Sequence, residues 1–422
     1  MSAAHAYSPS AFTIEAMASD PQPGRPMRPR ERRRVDRTRH PTHRGHGQAE
    51  FVAVLMAGGS GQRFWPLSTP ERPKQFVDLE RSGRSLLQAT YDRLLPLTGH
   101  PDRMYVATAA RYVALVREQL PDLPGANLLV EPQARDSGPA IALAMLAIQE
   151  RHPEAIAGVF SSDHRIIDVP AFQAAVRDTA AMAQRLDGLL AIGIQPTHPA
   201  TGYGYIEVAE PLDHGFRVAR FVEKPTLERA TAYLSSGGYL WNAGIFVWRP
   251  RTLLNELERY APDIVVPLRA AIGDRALAEV FPTLPRISID YALMERSDRV
   301  YTVPGSFGWD DIGDWVALER LVGRDAGDPL NTVVGRHVGH RAAGNIVYTE
   351  DPNDVIVTVG VENLVIVKRG NTVLLVRKDR IADIKHVLGD SRLGLGAAGQ
   401  APDRSQATAP QTPAHTVREP GS

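Results

Sequence analysis

A chain of 422 residues, 43% of them hydrophobic and 23% charged, has the make-up of a soluble globular protein, with enough length for a large α/β domain and a smaller companion. That balance excludes a fibrous or wholly disordered chain. The apolar runs break at charge or proline well short of the ~20 residues a spanning helix needs, and the absence of cysteine excludes disulfides and thiolate chemistry, in keeping with a reducing cytoplasm.

Formal net charge is zero, but residues 1–48 hold nine arginines against Glu15, Asp20, Glu31 and Asp36, an excess of +5 that leaves −5 on the remainder. Residues 1–49 are rich in Pro, Arg and His and have almost no apolar periodicity, so they read as a disordered basic extension that cannot offset its ordering entropy. Residues 27–44 have two readings: a tail for nucleic acid or another anionic surface, and an incidental flexible extension, the ordinary behaviour of such termini. The segment lacks the continuous apolar core of a secretory signal.

Residues 51–55, FVAVL, form a short apolar strand of the kind buried in a parallel sheet. A loop follows in which Gly58, Gly59 and Gly61 remove Cβ atoms, so that backbone N–H groups can close on phosphate oxygens and positive φ costs little. Arg63 suits bidentate contact with a phosphate, and Lys74 is a flexible point charge able to follow a moving phosphoryl group. The loop has neither the Gly-Lys-Ser/Thr ending of a Walker A motif nor a glycine at Phe64, as a dinucleotide fingerprint requires.

Further strands are expected at residues 104–107, 127–130, 156–160 and 189–194, alternating with helices near 86–95, 111–120, 139–149 and 171–186. Such alternation implies right-handed crossovers and a mostly parallel sheet covered on both faces, with ligands beyond the carboxyl ends of its strands. Beyond residue 195 come Gly/Tyr-rich turns, strands near 204–208 and 244–248, and helices near 227–235 and 251–260. From about residue 330 close-spaced β-branched strands at 345–348, 355–359, 364–367 and 373–376, then a helix near 379–388, point to a small β-rich unit. The domain reading is an extension at 1–49, a catalytic domain at 50–325, a β-rich domain at 326–390 and a disordered tail at 391–422.

The ordered set AGGSGQRFWPLS (57–68), PKQF (73–76), EPQARDSGPAIALA (131–144), SSDH (161–164), TGYGYI (201–206), FVEKP (221–225), WNAGIFVW (241–248), SIDYALME (288–295) and FGWDDIGDW (307–315) resembles the sugar-1-phosphate nucleotidyltransferases, and within them the mannose-1-phosphate guanylyltransferases. The resemblance spans about residues 51–388. It implies a Rossmann-like α/β fold of the nucleotide-diphospho-sugar transferase type, with a mixed, mostly parallel sheet and a small unit like a left-handed β-helix, although no six-residue repeat is visible. The chain ends too soon for the isomerase domain of longer bifunctional members. The implied reactants are GTP and mannose 1-phosphate, with Mg2+ as cofactor, a homodimer, and no nucleic-acid or membrane partner.

In that reaction a sugar phosphate, already ionised at neutral pH, attacks the α-phosphorus of the triphosphate in line; the site supplies positioning and neutralises charge. By resemblance, Ala57, Gly58, Gly59, Gly61 and Arg63 meet the nucleotide, with Arg63 and Lys74 as catalytic cations. Asp163 and Asp311 hold the metal, with Asp310 the neighbour most easily confused with Asp311. A lone Asp at a strand end is ordinarily a cap, and Asp314 is read as one; His164 is assigned to local hydrogen bonding. Glu223 accepts from sugar hydroxyls, Lys224 meets the sugar phosphate, Asn242 contacts a neighbouring hydroxyl and Gly204 lets the backbone approach the ring; the plain alternative for Glu223-Lys224 is a surface ion pair. Trp241 and Trp248 read as core. Glu131 is the candidate for the guanine N1–H and N2–H₂ donors, weighed evenly against a surface acid before a turn, and the helix after Gly138 brings backbone N–H groups to the nucleotide.

Three departures from the family pattern stand out: Asp136-Ser137 where Asn-Thr is common, Ser161 in place of Pro, and Thr69 where Arg is frequent. None removes a charged catalytic position. The rival readings are the same chemistry on another sugar phosphate or triphosphate, and a catalytically silent regulatory subunit; retention of Arg63, Lys74, Asp163, Lys224 and Asp311 favours activity.

Overall fold

The computed structural model describes residues 49–59, 62–271, 276–322 and 328–388. Gly61, the extension up to residue 48 and the tail from 391 lie outside the described residues.

In chain order the first strands are β1 (Phe51–Met56), β2 (Met104–Ala109), β3 (Leu128–Glu131), β4 (Ile156–Ser161), β5 (Arg165–Ile166), β6 (Leu189–Ile194), β7 (Tyr205–Leu212), β8 (Gly215–Val222), β9 (Tyr239–Trp248), β10 (Val300–Gly305) and β11 (Trp309–Asp310). Nine of them form one sheet in the order β3-β2-β1-β4-β9-β6-β10-β8-β7. Strands β3, β2, β1 and β4 are parallel neighbours, as are β6 and β10, whereas β9 and β8 run against theirs. The sheet is therefore mixed, yet seven of its nine strands share one direction. Strands β5 and β11 form a separate antiparallel pair that draws the Asp310-Asp311 turn to the end of β4.

Period-2 alternation explains how both faces are covered. Val52 and Val54 of β1 pack with Ile141, Met145 and Leu146 of a long apolar helix, Ser137–Arg151. Ala53 and Leu55 pack on the other side with Leu87, Tyr91 and Leu94 of the helix Leu86–Thr98, and with Phe172 and Val176 of Val169–Leu186. Full burial of each large apolar side chain contributes ~1.5–3 kcal/mol. Local signals agree: Ser85 and Gln88 form a reciprocal capping box that starts the Leu86 helix, and Gly99 at φ 73° ends it.

The C-terminal part holds β12 (Thr332–Val334), β13 (Arg336–His340), β14 (Ile346–Thr349), β15 (Val355–Val359), β16 (Leu364–Arg369) and β17 (Thr372–Arg377). Thr332 stacks on Ile346 and Ile346 on Val365 in parallel register, while β13 stacks on β15, so successive coils pile up as in a β-helix. Strand β17 closes the stack antiparallel to β16. The expected helix near 379–388 is a 3-10 segment, Lys378–Asp383, running into one α turn, Ile384–Val387. This unit shares a core with the catalytic domain: Val334, Ile346, Val365 and Ile384 cluster with Phe64, Trp65, Leu67, Ile312 and Trp315.

Candidate functional site

Lys74 is the centre of the site. Its side chain is almost wholly buried, and Nζ donates to the carbonyls of Asp311 and Ile312, both at 2.7 Å, while standing 3.1 Å from Asp163 Oδ2. An ammonium has three donors, and here all three meet oxygen. The mobile point charge expected at this position is therefore corrected: Lys74 is a fixed tie joining the glycine-loop segment to both acidic turns. Burial alone would raise the Asp163 carboxyl, but Lys74 and then His164 outweigh it and hold it below the usual carboxylate range.

The structure separates the two adjacent acids. Asp310 is paired with Arg320 at 2.7 and 3.2 Å and accepts from the Ile312 N–H, so it is consumed locally. Asp311 instead accepts from the Tyr203 hydroxyl at 2.8 Å and opens onto a cavity of about 280 Å³. Asp163 and Asp311 are thus the two carboxylates at this rim able to hold a divalent cation; among the described residues no cluster of three or more His, Cys, Asp and Glu does so. Asp314 caps the next helix through Val316 N–H and Ala317 N–H. His164 accepts from Trp309 Nε1 at 3.2 Å, and burial lowers its basicity, in line with a local hydrogen-bonding role.

The glycine loop is held from below. Gln75 Nε2 donates to the carbonyls of Ala57 and Gly59, each at 3.0 Å. Neither Gly58 nor Gly59 has a left-handed backbone, so positive φ is not why they are glycine; a Cβ on Gly58 would come within 3.3 Å of Glu131 Oε1. Arg63 is exposed, and its Nη1 lies on the Asp311 side, since a Cβ on Gly313 would meet both the Asp311 carboxylate and Arg63. Glu131 ends β3 nearly buried and, among the described residues, its carboxyl has no hydrogen bond; burial, then the Asp136 charge, push it up to about 7. It is therefore no surface acid.

Gly138 needs a correction. Its N–H donates to Ile287 O at 3.0 Å, the Ser137 N–H is taken by Asp136 Oδ1 at 2.8 Å, and Pro139 has none, so this helix start has few donors left for a nucleotide. Glycine is required because a Cβ would lie 2.7 Å from that Ile287 carbonyl. The Ser137 hydroxyl accepts from Ile289 N–H at 2.9 Å, so the departure Asp136-Ser137 caps the helix and pins the SIDYALME segment.

On the far wall, Glu223 and Lys224 are hydrogen-bonded to each other. Asn242 donates to Asp290 Oδ1 at 3.1 Å and accepts from Gly244 N–H at 2.9 Å. A Cβ on Gly204 would lie 2.6 Å from Glu223 Oε2 and 3.2 Å from Asn242 Cβ, which is the physical reason for a glycine there. Tyr203 sits edge-on between Trp241 and Trp309, each 5.1 Å away. Trp241 and Trp248 are core residues. Gly204, Glu223, Lys224, Asn242, Asp290 and Asp311 all line the one cavity. Motif reading passed over Tyr203, Gln75 and Asp290; the last lay inside SIDYALME, whose lone acid before an aromatic was the available signal.

A mixed α/β sheet with a glycine-rich loop after its first strand, a buried lysine between two acidic turns and a polar cavity beside them is the arrangement of a nucleotidyl transferase. The Nucleotidyl transferase family matches residues 52–325, and the MannoseP isomerase/GMP-like beta-helix domain matches residues 335–390. The mannose-1-phosphate guanylyltransferase of Escherichia coli K12 is 38% identical over 359 residues, 81% of this chain and 73% of that protein. The xanthan biosynthesis protein XanB of Xanthomonas campestris is 35% identical over 85% of this chain and 75% of its own length. A crystal structure from Thermus thermophilus, described as mannose-1-phosphate geranyltransferase, superposes with a TM-score of 0.74 at 37% identity, covering 82% of this chain and 99% of that one. The chain belongs to the nucleotidyl transferase family and, within it, to the mannose-1-phosphate guanylyltransferases. Among the described residues no helix is long and apolar enough to cross a membrane.

Proposed function

We propose that the protein joins GTP and mannose 1-phosphate into GDP-mannose with release of pyrophosphate, supplying a mannosyl donor for glycan synthesis. The observation that carries this reading is buried Lys74 tying together both acidic turns, one of which brings Asp311 to the wall of a cavity also lined by Glu223, Lys224 and Asn242. The relatives named mannose-1-phosphate guanylyltransferase support the choice of base and sugar.

Lys74 joins the two acidic turns through the Asp163 carboxylate and the Asp311 backbone carbonyl, which leaves the Asp311 side chain to Tyr203 and the cavity. Two hard carboxylates on joined turns suit Mg2+, which takes one or two carboxylates and fills its shell with phosphate and water. Bound by Asp163 and Asp311, the ion would neutralise charge between two polyanions. The chain's own residues do the rest. Lys74 keeps the two acidic turns at fixed spacing, Arg63 offers an exposed guanidinium to phosphate oxygens, and Gln75 fixes the loop by holding the carbonyls of Ala57 and Gly59, while the Ala57 N–H is tied to Ala107 O of the sheet. Glu131 lies beside the loop, where a purine edge can present donors to it. Lys224 faces the sugar phosphate, and Glu223 and Asn242 face ring hydroxyls. No general base is needed, because the attacking phosphate oxygen is already anionic.

The test is pyrophosphate release from the purified enzyme across four nucleoside triphosphates and several sugar 1-phosphates. GTP with mannose 1-phosphate should exceed every other pairing by tenfold or more; a flat or silent matrix removes the reading.

A further inference from the structure

Asp290 lies in the cavity wall beside the groups assigned to the sugar, at the start of a single π-helical turn, Asp290–Met294. It is held there from the nucleotide side. The segment before it is bonded to the start of the Ser137 helix by three contacts: Ile287 N–H to Arg135 O, Gly138 N–H to Ile287 O, and Ile289 N–H to Ser137 Oγ. Its carboxyl accepts from Asn242 Nδ2 at 3.1 Å. Burial, then the charge of Glu223, push that carboxyl above the ordinary carboxylate range, with its own N–H, Ser288 and Lys224 pulling the other way. Two carboxyls facing one cavity repel each other and any phosphate unless something donates to them. The cation Lys224 is already engaged with Glu223. The hydroxyls of a pyranose are the matching donors, and a carboxylate with about four lone-pair sites can accept one beyond the Asn242 bond.

We propose that Asp290 is a sugar-selecting residue, accepting a ring hydroxyl of the sugar phosphate in concert with Glu223 and fixing the Asn242 amide for an adjacent one. The assignment rests on the sugar-phosphate reading of this cavity. It accounts for an acid otherwise costly at this position: a carboxyl used only as a turn cap would not need to face another acid across an open cavity.

The experiment uses the full chain with Asp290→Asn, which keeps shape and the turn but removes the charge, and Asp290→Ser as a second variant. Initial rates are measured for mannose 1-phosphate, its 2-, 3-, 4- and 6-deoxy analogues, and GTP. The expected result is a tenfold or greater rise in KM for mannose 1-phosphate, a KM for GTP within twofold of the parent, and loss of the penalty for one deoxy analogue. A variant that unfolds normally yet keeps the parent KM and the full set of deoxy penalties overturns the assignment. So does an equal rise in both KM values, which marks general damage. A parent enzyme that makes no GDP-mannose while binding GTP removes the sugar reading itself, a result distinct from either.

Discussion

Lys74 Nζ stands 3.1 Å from Asp163 Oδ2 with its other two protons on the carbonyls of Asp311 and Ile312, so one buried cation spans the strand-β4 turn and the β11 turn. Removing it leaves a carboxylate and two carbonyls without their donor. For Lys74→Met the expected outcome is a loss of ~2–4 kcal/mol in folding stability, read by denaturant unfolding, together with a large fall in turnover. Burial is the largest influence on Asp163 and Lys74 the first that opposes it, so without Lys74 its carboxyl should titrate higher than in the parent, observable by carbon NMR of the side chain. Asp163→Asn separates the effects: it should keep the fold and lose about 10²- to 10⁴-fold in kcat. Near-parental turnover in a folded Asp163→Asn protein would discard the metal role.

Glu131 gives a pH signature. Its folded-state value of about 7 lies above the ordinary value of 4.5, so the native state holds a proton that the unfolded chain releases first. The stability this contributes is fully present below pH 4.5 and is lost as pH rises through about 7. Glu131→Gln, permanently neutral, should match the parent near pH 4.5 and exceed it by up to about 3 kcal/mol at pH 8. Thermal unfolding across that range checks it; a constant difference at all pH values would show that Glu131 is not the titrating group. The same variant should raise the KM for GTP if the carboxyl reads the base.

The strands of the parallel half were legible because each is a short apolar run between turn residues, and the motif order placed the acids and cations at one rim. What escaped has identifiable causes. Strand β10 contains Pro304 followed by Gly305, which reads as a turn, yet Val300–Gly305 pairs in parallel with β6 in the middle of the sheet. The β-helix showed no short repeat because its stacked positions, Thr332, Ile346 and Val365, are unevenly spaced along the chain. Tyr203, whose role is a single hydroxyl bond to Asp311, cannot be told by sequence from the core aromatic Tyr205 two residues on. The donors at the Gly138 helix were misjudged because their partner, Ile287, is distant in sequence and apolar.

The β-helix braces the catalytic loop. Arg369 Nη1 donates to the carbonyls of Pro66 and Leu67 at 2.7 and 2.9 Å, just beyond the glycine-rich loop. Arg369→Ala should lower stability by ~1–3 kcal/mol, because two part-buried carbonyls lose a charged donor. It should also raise the KM for GTP several-fold with little change in that for mannose 1-phosphate. Steady-state kinetics with each substrate varied in turn checks this, and equal KM changes for the two substrates would contradict a loop-bracing role.

Two glycines should respond oppositely to the same added methyl. At Gly138 the new Cβ meets a backbone carbonyl, Ile287 O, at 2.7 Å, and neither partner can turn away. Gly138→Ala should therefore cost ~1–3 kcal/mol of stability by forcing the Ser137 helix and the 287–289 segment apart. At Gly204 the closest atom, 2.6 Å away, is Glu223 Oε2, the end of a side chain that can rotate. Gly204→Ala should unfold close to the parent but displace the Glu223 carboxylate; under the proposed role of Glu223 toward the sugar, the KM for mannose 1-phosphate should rise at least tenfold. Paired thermal melts and kinetics test the contrast. A stable Gly138→Ala, or a Gly204→Ala protein with parental sugar-phosphate KM, would show that the wall between Glu223, Asn242 and the Ser137 helix yields more than its contacts imply.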